Sequence, residues 1–365
     1  MNSFIIEREK IIANAEAIFS RAGDADVYAV VKGRGYGFGL NEYILLLHEC
    51  GVRTFAVTDV ADALSIKKLN LIDTNVFMLR STSLSEELAA LIENDVILTI
   101  GSTEAAVAAN DIAISKNKQA RVHIKIDTGM GRYGFSTDDI EQIYAAFTKF
   151  SALTPCGLYT HLSSAFKSRR ITDRQIDELF AIRDELNARN VDCGVVHFAN
   201  SAYLFKFGDP IGDAVRIGSA FTGRLACKGK GRSLSKVGYL ESNICEIHWL
   251  SPGSKVGYGG AFTAKKATKT AVIPVGYSDG FHVEKAHDTY RFRDCLFYIL
   301  SDIKRMFFKK SVYVKINGKK AKVLGHIGMT HTVCDITNIS CDIGDKAEFD
   351  TSPLYVSPDI YREFI

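Results

Sequence analysis

The chain has 365 residues, 47% of them apolar and 24% charged, enough for a sizeable core and more than one compact unit usually holds. A net charge of +3 is too small to make nucleic acid or an anionic membrane the main partner. No apolar run reaches the roughly 18 residues of a membrane span, and the first twenty residues carry Glu and Lys inside their apolar pattern, unlike a signal peptide. Eight cysteines without a CxxC pair read as thiols of a reducing cytosol, not as a disulfide frame or a metal site.

From Val27 to about residue 223, short apolar runs alternate with helical stretches. The predicted strands are VYAVVK, RTFAVTDV, VFMLR, VILTI, ARVHIKID, PCGLYTHL, VVHFANS and AVRIGSAF. Between them, segments such as 41–50, 84–93, 103–115, 137–151 and 171–190 place apolar residues at three- and four-residue spacing. Eight strands in strict alternation with helices is the order that closes a (β/α)8 barrel of the TIM type, with a doubly wound open sheet as the alternative.

After about residue 230 the pattern changes to short strands separated by turns, among them ICEIHWL, KTAVIPVG, SVYVKIN, KAKVLGH and KAEFD. Asn317-Gly318 is a strong hairpin signal. The expectation is a barrel over residues 1–230 and a mostly antiparallel β domain over 231–365. A helical segment is inserted near 290–310: Leu296, Ile299, Leu300, Ile303 and Phe307 form one stripe, with Lys304, Lys309 and Lys310 elsewhere. Amphipathic helices ordinarily face a core, so this apolar stripe is expected to be covered by its own protein, with a partner or membrane surface as the alternative.

In a barrel of this kind chemistry sits where strands end and the following loops begin. The first strand ends in Lys32 and breaks into the glycine-rich GRGYGFG, which holds Tyr36. The fifth runs into DTGMGRYGF with Arg132, and the sixth into THLSSA with His161. The seventh ends in HFANSA with His197, Asn200 and Ser201, and the eighth in Arg216, Gly218 and Ser219. Each residue alone has a plainer explanation: a core histidine for His161, a helix N-cap for Ser201.

Together they suit a lysine that forms a Schiff base with an aromatic aldehyde phosphate. Lys32 supplies the amine, Ser201 and the backbone N–H groups of Gly218 and Ser219 hold phosphate, and Arg216 meets the ring. The glycine-rich turn lacks the Lys-Ser/Thr of a phosphate-transfer loop and the acidic partner of a dinucleotide fingerprint.

The motifs AVVKGRGYGFG, VHIKIDTGMGRYGF, GLYTHLSSA, HFANSA, VRIGSAFTG, VGYGGAF, AVIPVGYSDGF and LYVSPDIY run in one order over nearly the whole chain. In them the chain resembles the alanine racemase family of fold-type III pyridoxal-phosphate enzymes. The resemblance implies a cytoplasmic homodimer whose subunits share active sites. It also implies racemisation of alanine, or of a small neutral amino acid such as serine, supplying D-amino acid for the bacterial cell wall. Lys32 becomes the Schiff-base lysine and one catalytic base, and Tyr258, given by the second subunit, the other. Tyr36, Ser201, Gly218, Ser219 and Tyr355 hold the cofactor phosphate, His161 and Asn200 adjoin the cofactor, and Arg216 faces the pyridine nitrogen. Arg132, Met329 and Tyr277 border the substrate, and Lys125 matches a lysine that some members carbamylate.

Basic-amino-acid decarboxylases share this architecture but are expected to set a carboxylate where Arg216 stands. Three departures touch entry and specificity, not the two bases: GHIGMTH, with Thr330 where an acid is usual; the GRGYGFG turn; and the insertion. A low-activity cofactor-binding homologue is a further alternative.

Overall fold

The computed structural model describes residues 2–209, 212–225, 233–307 and 311–365. Lys309 and Lys310, and the expected domain boundary at 230, lie outside the described residues. The chain divides into two compact units, Glu7–Val237 and Met1–Ile6 together with Gly238–Ile365. The first strand, β1 (Ser3–Ile6), thus belongs with the C-terminal residues, whereas the sequence reading placed it in the barrel.

In the first unit the strands are β2 (Asp26–Val30), β3 (Thr54–Val57), β4 (Asn75–Ser81), β5 (Ile97–Ile100), β6 (Ala120–Asp127), a two-residue β7 (Phe135–Ser136), β8 (Leu153–Tyr159), β9 (Val195–Asn200) and β10 (Ala214–Ile217). Leaving aside β7, which pairs only with β6, each is parallel to its neighbours. The pairings β5–β6 and β10–β2 close the ring into an eight-stranded barrel, so the open-sheet alternative falls away.

Both faces of these strands are covered, but with different chemistry. On β6, Val122, Ile124 and Ile126 alternate with His123, Lys125 and Asp127. His123 meets aromatic rings from β2, β4, β8 and β9, so the polar face is the barrel interior, and the aliphatic face turns to the surrounding helices. Several helices start on side-chain caps: Asp59 accepts from the Ala61 N–H, Ser102 from Ala105 and Ser168 from Ile171.

The second unit contains β11 (Tyr239–Asn243), β12 (Glu246–Leu250), a small hairpin of β13 (Lys255–Val256) and β14 (Phe262–Thr263), β15 (Thr268–Ile273), β16 (Tyr313–Ile316), β17 (Lys319–Val323), β18 (Thr332–Asp335), β19 (Lys346–Phe349) and β20 (Tyr361–Phe364). Its main sheet runs β12-β15-β18-β17-β16-β19-β11-β1-β20 and is antiparallel except where β1 lies parallel to β20. Asn317 and Gly318 turn the β16–β17 hairpin with positive φ at both, as a tight turn of this kind requires.

The insertion forms a helix over Phe292–Phe307 in which no residue is buried. On the stripe, Leu296, Ile299, Leu300, Ile303 and Phe307 are 47%, 56%, 57%, 46% and 73% exposed. The apolar stripe is therefore uncovered, contrary to the sequence expectation. An amphipathic pattern specifies a face that can be buried, but not what buries it.

Candidate active site

At the C-terminal ends of the barrel strands lies a cavity of about 560 Å³. It is lined by Lys32, Tyr36, Lys125, Arg132, His161, Asn200, Ser201, Arg216, Gly218 and Ser219, ten of the residues singled out from sequence. No Asp or Glu lines it among the described residues, while Lys32, Arg80, Lys125, Arg132 and Arg216 all do. Such a wall favours phosphate and carboxylate groups over neutral or cationic ones.

Lys32 follows the end of β2 and begins a single left-handed turn. Gly33, Arg34, Gly35 and Tyr36 all have positive φ, near +60°. Backbone bonds from Gly35 N to Val31 O (2.9 Å) and from Gly37 N to Gly33 O (3.0 Å) hold the turn. Sequence reading assigned this freedom to the glycines; the structure extends it to Arg34 and Tyr36, where an L-residue costs roughly 1–2 kcal/mol. A Cβ at Gly35 would lie 2.8 Å from the Tyr43 ring, so the turn is also packed too closely for a side chain there. Although Lys32 opens onto the cavity, the barrel end withholds water from its amine. That desolvation, and then the charge of Arg132, lower its pKa.

The Tyr36 hydroxyl is brought to Gly218: a Cβ on Gly218 would sit 2.1 Å from it. The Gly218 N–H donates to Ser201 Oγ at 3.1 Å. Ser201 is not the N-cap of its helix; Asn200 is, with Oδ1 accepting from Tyr203 N at 3.0 Å. The Ser201 hydroxyl is thereby left on the cavity wall. A tyrosine hydroxyl, a serine hydroxyl and two successive backbone amides beside a glycine without room for a Cβ form a cradle that fits a phosphate.

Arg132 is positioned through its backbone. The Asp127 carboxylate accepts from the N–H groups of Gly129, Met130, Gly131 and Arg132 at 3.0, 2.7, 3.1 and 3.0 Å. Partial burial works to raise the Asp127 pKa, but these four bonds outweigh it and hold the group below its usual value. Lys125 is buried, with its ammonium 5.2 Å from the Tyr133 ring centroid and 5.8 Å from that of Tyr159. Burial, then the charges of Arg132 and Arg216, bring its pKa down to about 8.

Arg216 is buried, and burial lowers its pKa to about 10, still a cation at neutral pH. Burial first, then the surrounding cations led by Arg216, push His161 down to about 3, so it lines the cavity as a neutral ring.

The remaining candidates lie in the second unit. Tyr258 is 88% exposed, in a one-turn helix directly after β13. Tyr277, Met329 and Tyr355 gather around the loop 276–280. Tyr277 N donates to Gly328 O at 3.1 Å, Ser278 N to Met329 O at 3.0 Å, and a Cβ on Gly280 would meet the Tyr355 carbonyl at 2.2 Å. Thr330 bonds its neighbour, with Oγ1 2.8 Å from His331 Nδ1.

Sequence reading did not single out Arg80, Tyr133, Tyr159 or His123. Arg80, Tyr133 and Tyr159 line the cavity, and Glu87 grips Arg80 through both terminal nitrogens at 2.8 and 2.9 Å. The available signal for His123 was its place two residues before Lys125 on a strand whose alternate residues are aliphatic.

Family models described as the N-terminal and C-terminal domains of alanine racemase match residues 6–225 and 237–352. Alanine racemase of Borreliella burgdorferi strain ZS7 is 28% identical over 363 residues, covering 97% of this chain and 90% of that protein. Among solved structures, alanine racemase of Clostridium difficile 630 superposes with a TM-score of 0.81 at 25% identity, covering 99% of this chain and 88% of that one. The Bartonella henselae alanine racemase structure, with covalently bound pyridoxal phosphate, shares the fold at a TM-score of 0.80 and 22% identity, over 100% of this chain and 99% of that one.

Proposed function

The chain belongs to the alanine racemase family and is a racemase enzyme; from that premise we propose that it interconverts L- and D-alanine, using pyridoxal 5'-phosphate. The single observation that carries the reading is the cavity that joins the Lys32 amine, the Arg216 guanidinium and the Ser201–Gly218–Ser219–Tyr36 cradle within a wall free of carboxylates. When bound, pyridoxal phosphate withdraws electrons from the Cα of an attached amino acid and makes its hydrogen removable as a proton.

The chain's own residues do the rest. Tyr36, Ser201, Gly218 and Ser219 hold the phosphate, with Tyr355 completing its shell. Asn200 adjoins the cofactor, capping the helix that carries Ser201. Arg132 takes the substrate carboxylate, and Tyr277 and Met329 border the entrance. Lys32, its pKa lowered by the desolvating barrel end, takes or returns the Cα proton on one face. Tyr258 of the partner subunit does so on the other face, aided by His161 in the barrel.

Arg216 keeps its own proton, and beside a pyridine nitrogen it would donate a hydrogen bond without giving that proton up, which would weaken the ring as an electron sink. Abortive transamination is thereby limited. The same residue argues against a decarboxylase.

Lys125 fits carbamylation: with its pKa near 8 an appreciable fraction is neutral amine at slightly alkaline pH. That amine can attack carbon dioxide, forming an N–C bond and releasing one proton. The resulting carbamate would face Arg132. We place the enzyme in the cytoplasm as a homodimer that supplies D-amino acid to the cell wall.

A serine or broad-specificity racemase is the second reading, favoured by Thr330, which offers a hydroxyl where an acid is usual. The test is a chiral panel of small amino acids with the cofactor-loaded protein. Rapid formation of D-alanine from L-alanine is expected; faster turnover of serine selects the second reading, and no inversion of any small amino acid overturns both.

A further inference from the structure

Beneath the cavity floor three buried groups form one chain: Arg216 Nη1 lies 2.6 Å from His197 Nδ1, and His197 Nε2 lies 2.8 Å from His123 Nδ1. The other acceptors around the guanidinium are backbone carbonyls. Nη1 reaches His197 O at 3.1 Å, and Nη2 reaches Thr160 O at 2.6 Å and Phe198 O at 3.3 Å.

The protons along this chain follow from the donor inventory. A guanidinium has no acceptor, so His197 Nδ1 must receive the bond from Arg216. Burial, followed by the Arg216 charge, keeps both rings neutral, so each carries a single N–H. The proton of His197 is then on Nε2, pointing at His123 Nδ1, and that of His123 is on its own Nε2. The chain has one direction, and His123 is the acceptor at its end.

The rings have little freedom to choose otherwise. His197 stacks on Tyr159 at 4.7 Å, and Arg216 lies 5.0 Å from the centroid of that tyrosine. His123 packs against Phe77 at 4.6 Å, and a Cβ on Gly157 would come within 2.6 Å of the His123 ring. Gly157 therefore makes the space that His123 occupies. If His123 could not accept, His197 would keep a buried unsatisfied N–H or move its proton to Nδ1. The latter sets two N–H groups against each other at 2.6 Å and takes an acceptor from Arg216.

We propose that His123 is a positioning residue that fixes the tautomer of His197 and, through it, the placement of Arg216 against the cofactor ring. This deepens the racemase reading and rests on it. Loosening Arg216 lets the ring nitrogen be protonated. Abortive transamination then grows: the amino group and an electron pair pass from substrate to cofactor, leaving a keto acid and the aminated cofactor.

Two variants and two readouts test this. His123→Leu removes the acceptor; His123→Asn retains one in its side-chain oxygen. In the cofactor-free chain with 15N-labelled histidine, NMR should find His197 protonated at Nε2 in wild type and His123→Asn, and mixed or altered in His123→Leu. In the loaded enzyme, racemisation events per transamination should fall about tenfold in His123→Leu and stay within about threefold of wild type in His123→Asn.

A wild-type His197 protonated at Nδ1 overturns the proposal whether or not the leucine variant folds. So does a folded His123→Leu with unchanged tautomer and unchanged partition. If the wild type neither binds pyridoxal phosphate nor racemises, the tautomer result stands apart and the racemase reading is what fails.

Discussion

A lysine amine set at the end of a barrel strand keeps its proton only as firmly as nearby water and charge allow, and for Lys32 burial withholds the water and the Arg132 cation repels the charge. The two-base reading separates Lys32 from Tyr258 by what each loss leaves behind. Lys32→Ala is expected to abolish the visible absorbance that the cofactor gains on attachment to the chain. Tyr258→Phe should retain it, lose racemisation by at least about a hundredfold, and exchange the Cα proton with deuterated solvent from one substrate enantiomer only. Racemisation at the wild-type rate in Tyr258→Phe would remove Tyr258 as a base. Residues at strand ends were legible in the sequence because a polar residue following an apolar run is visible there. The role of His123 was not, since its partners Gly157 and His197 stand on the next two strands of the sheet, and only the strand register sets them against it. Nor could the choice between Asn200 and Ser201 as the cap be read; both residues are good caps, and the neighbouring Gly218 N–H decides between them.

Whole elements were read more reliably than their surroundings. The eight barrel strands appear in the sequence as apolar runs of the right length and order. The left-handed turn after Lys32 was visible only through its alternate glycines, because nothing in the composition marks Arg34 or Tyr36 as holding positive φ. Such local strain persists where packing over-determines it, here by the two backbone bonds and the Tyr43 ring. The helix Phe292–Phe307 was found, but its cover was not, since amphipathicity is intrinsic to the segment and burial is a property of its neighbours. A surface position far from other contacts changes stability by about 0.5 kcal/mol or less. Leu300→Lys, on the exposed stripe, is therefore expected to leave the urea midpoint essentially unchanged. A loss of about 2 kcal/mol or more would mean that this stripe is buried in solution.

For the molecule as a whole, acid should be the sensitive direction. His123 and His161 are held down to about 3, and His197 well below its usual value, all by burial first and then by Arg216. The unfolded chain takes up protons at these rings below about pH 6.5 while the folded chain refuses them. Stability is therefore complete above about 6.5 and lost progressively as pH falls toward 3. Asp127 and Glu87, both lowered, add loss of the same sign further down. Urea midpoints should be lower at pH 5 than at pH 7.5, and a flat or rising profile would show that these rings are charged in the folded state. The two-unit organisation was also readable, as the change from alternating to hairpin grammar, with β1 as the exception: a four-residue strand before a helix carries no local mark of a sheet partner. That strand, with Phe4, Ile5 and Ile6 buried, pairs with Tyr239–Asn243 on one side and Tyr361–Phe364 on the other. Both neighbours lie beyond the entire barrel in the chain. β1 can therefore be seated in its sheet only after the whole barrel segment has been made, and until then its three apolar side chains have no sheet to cover them.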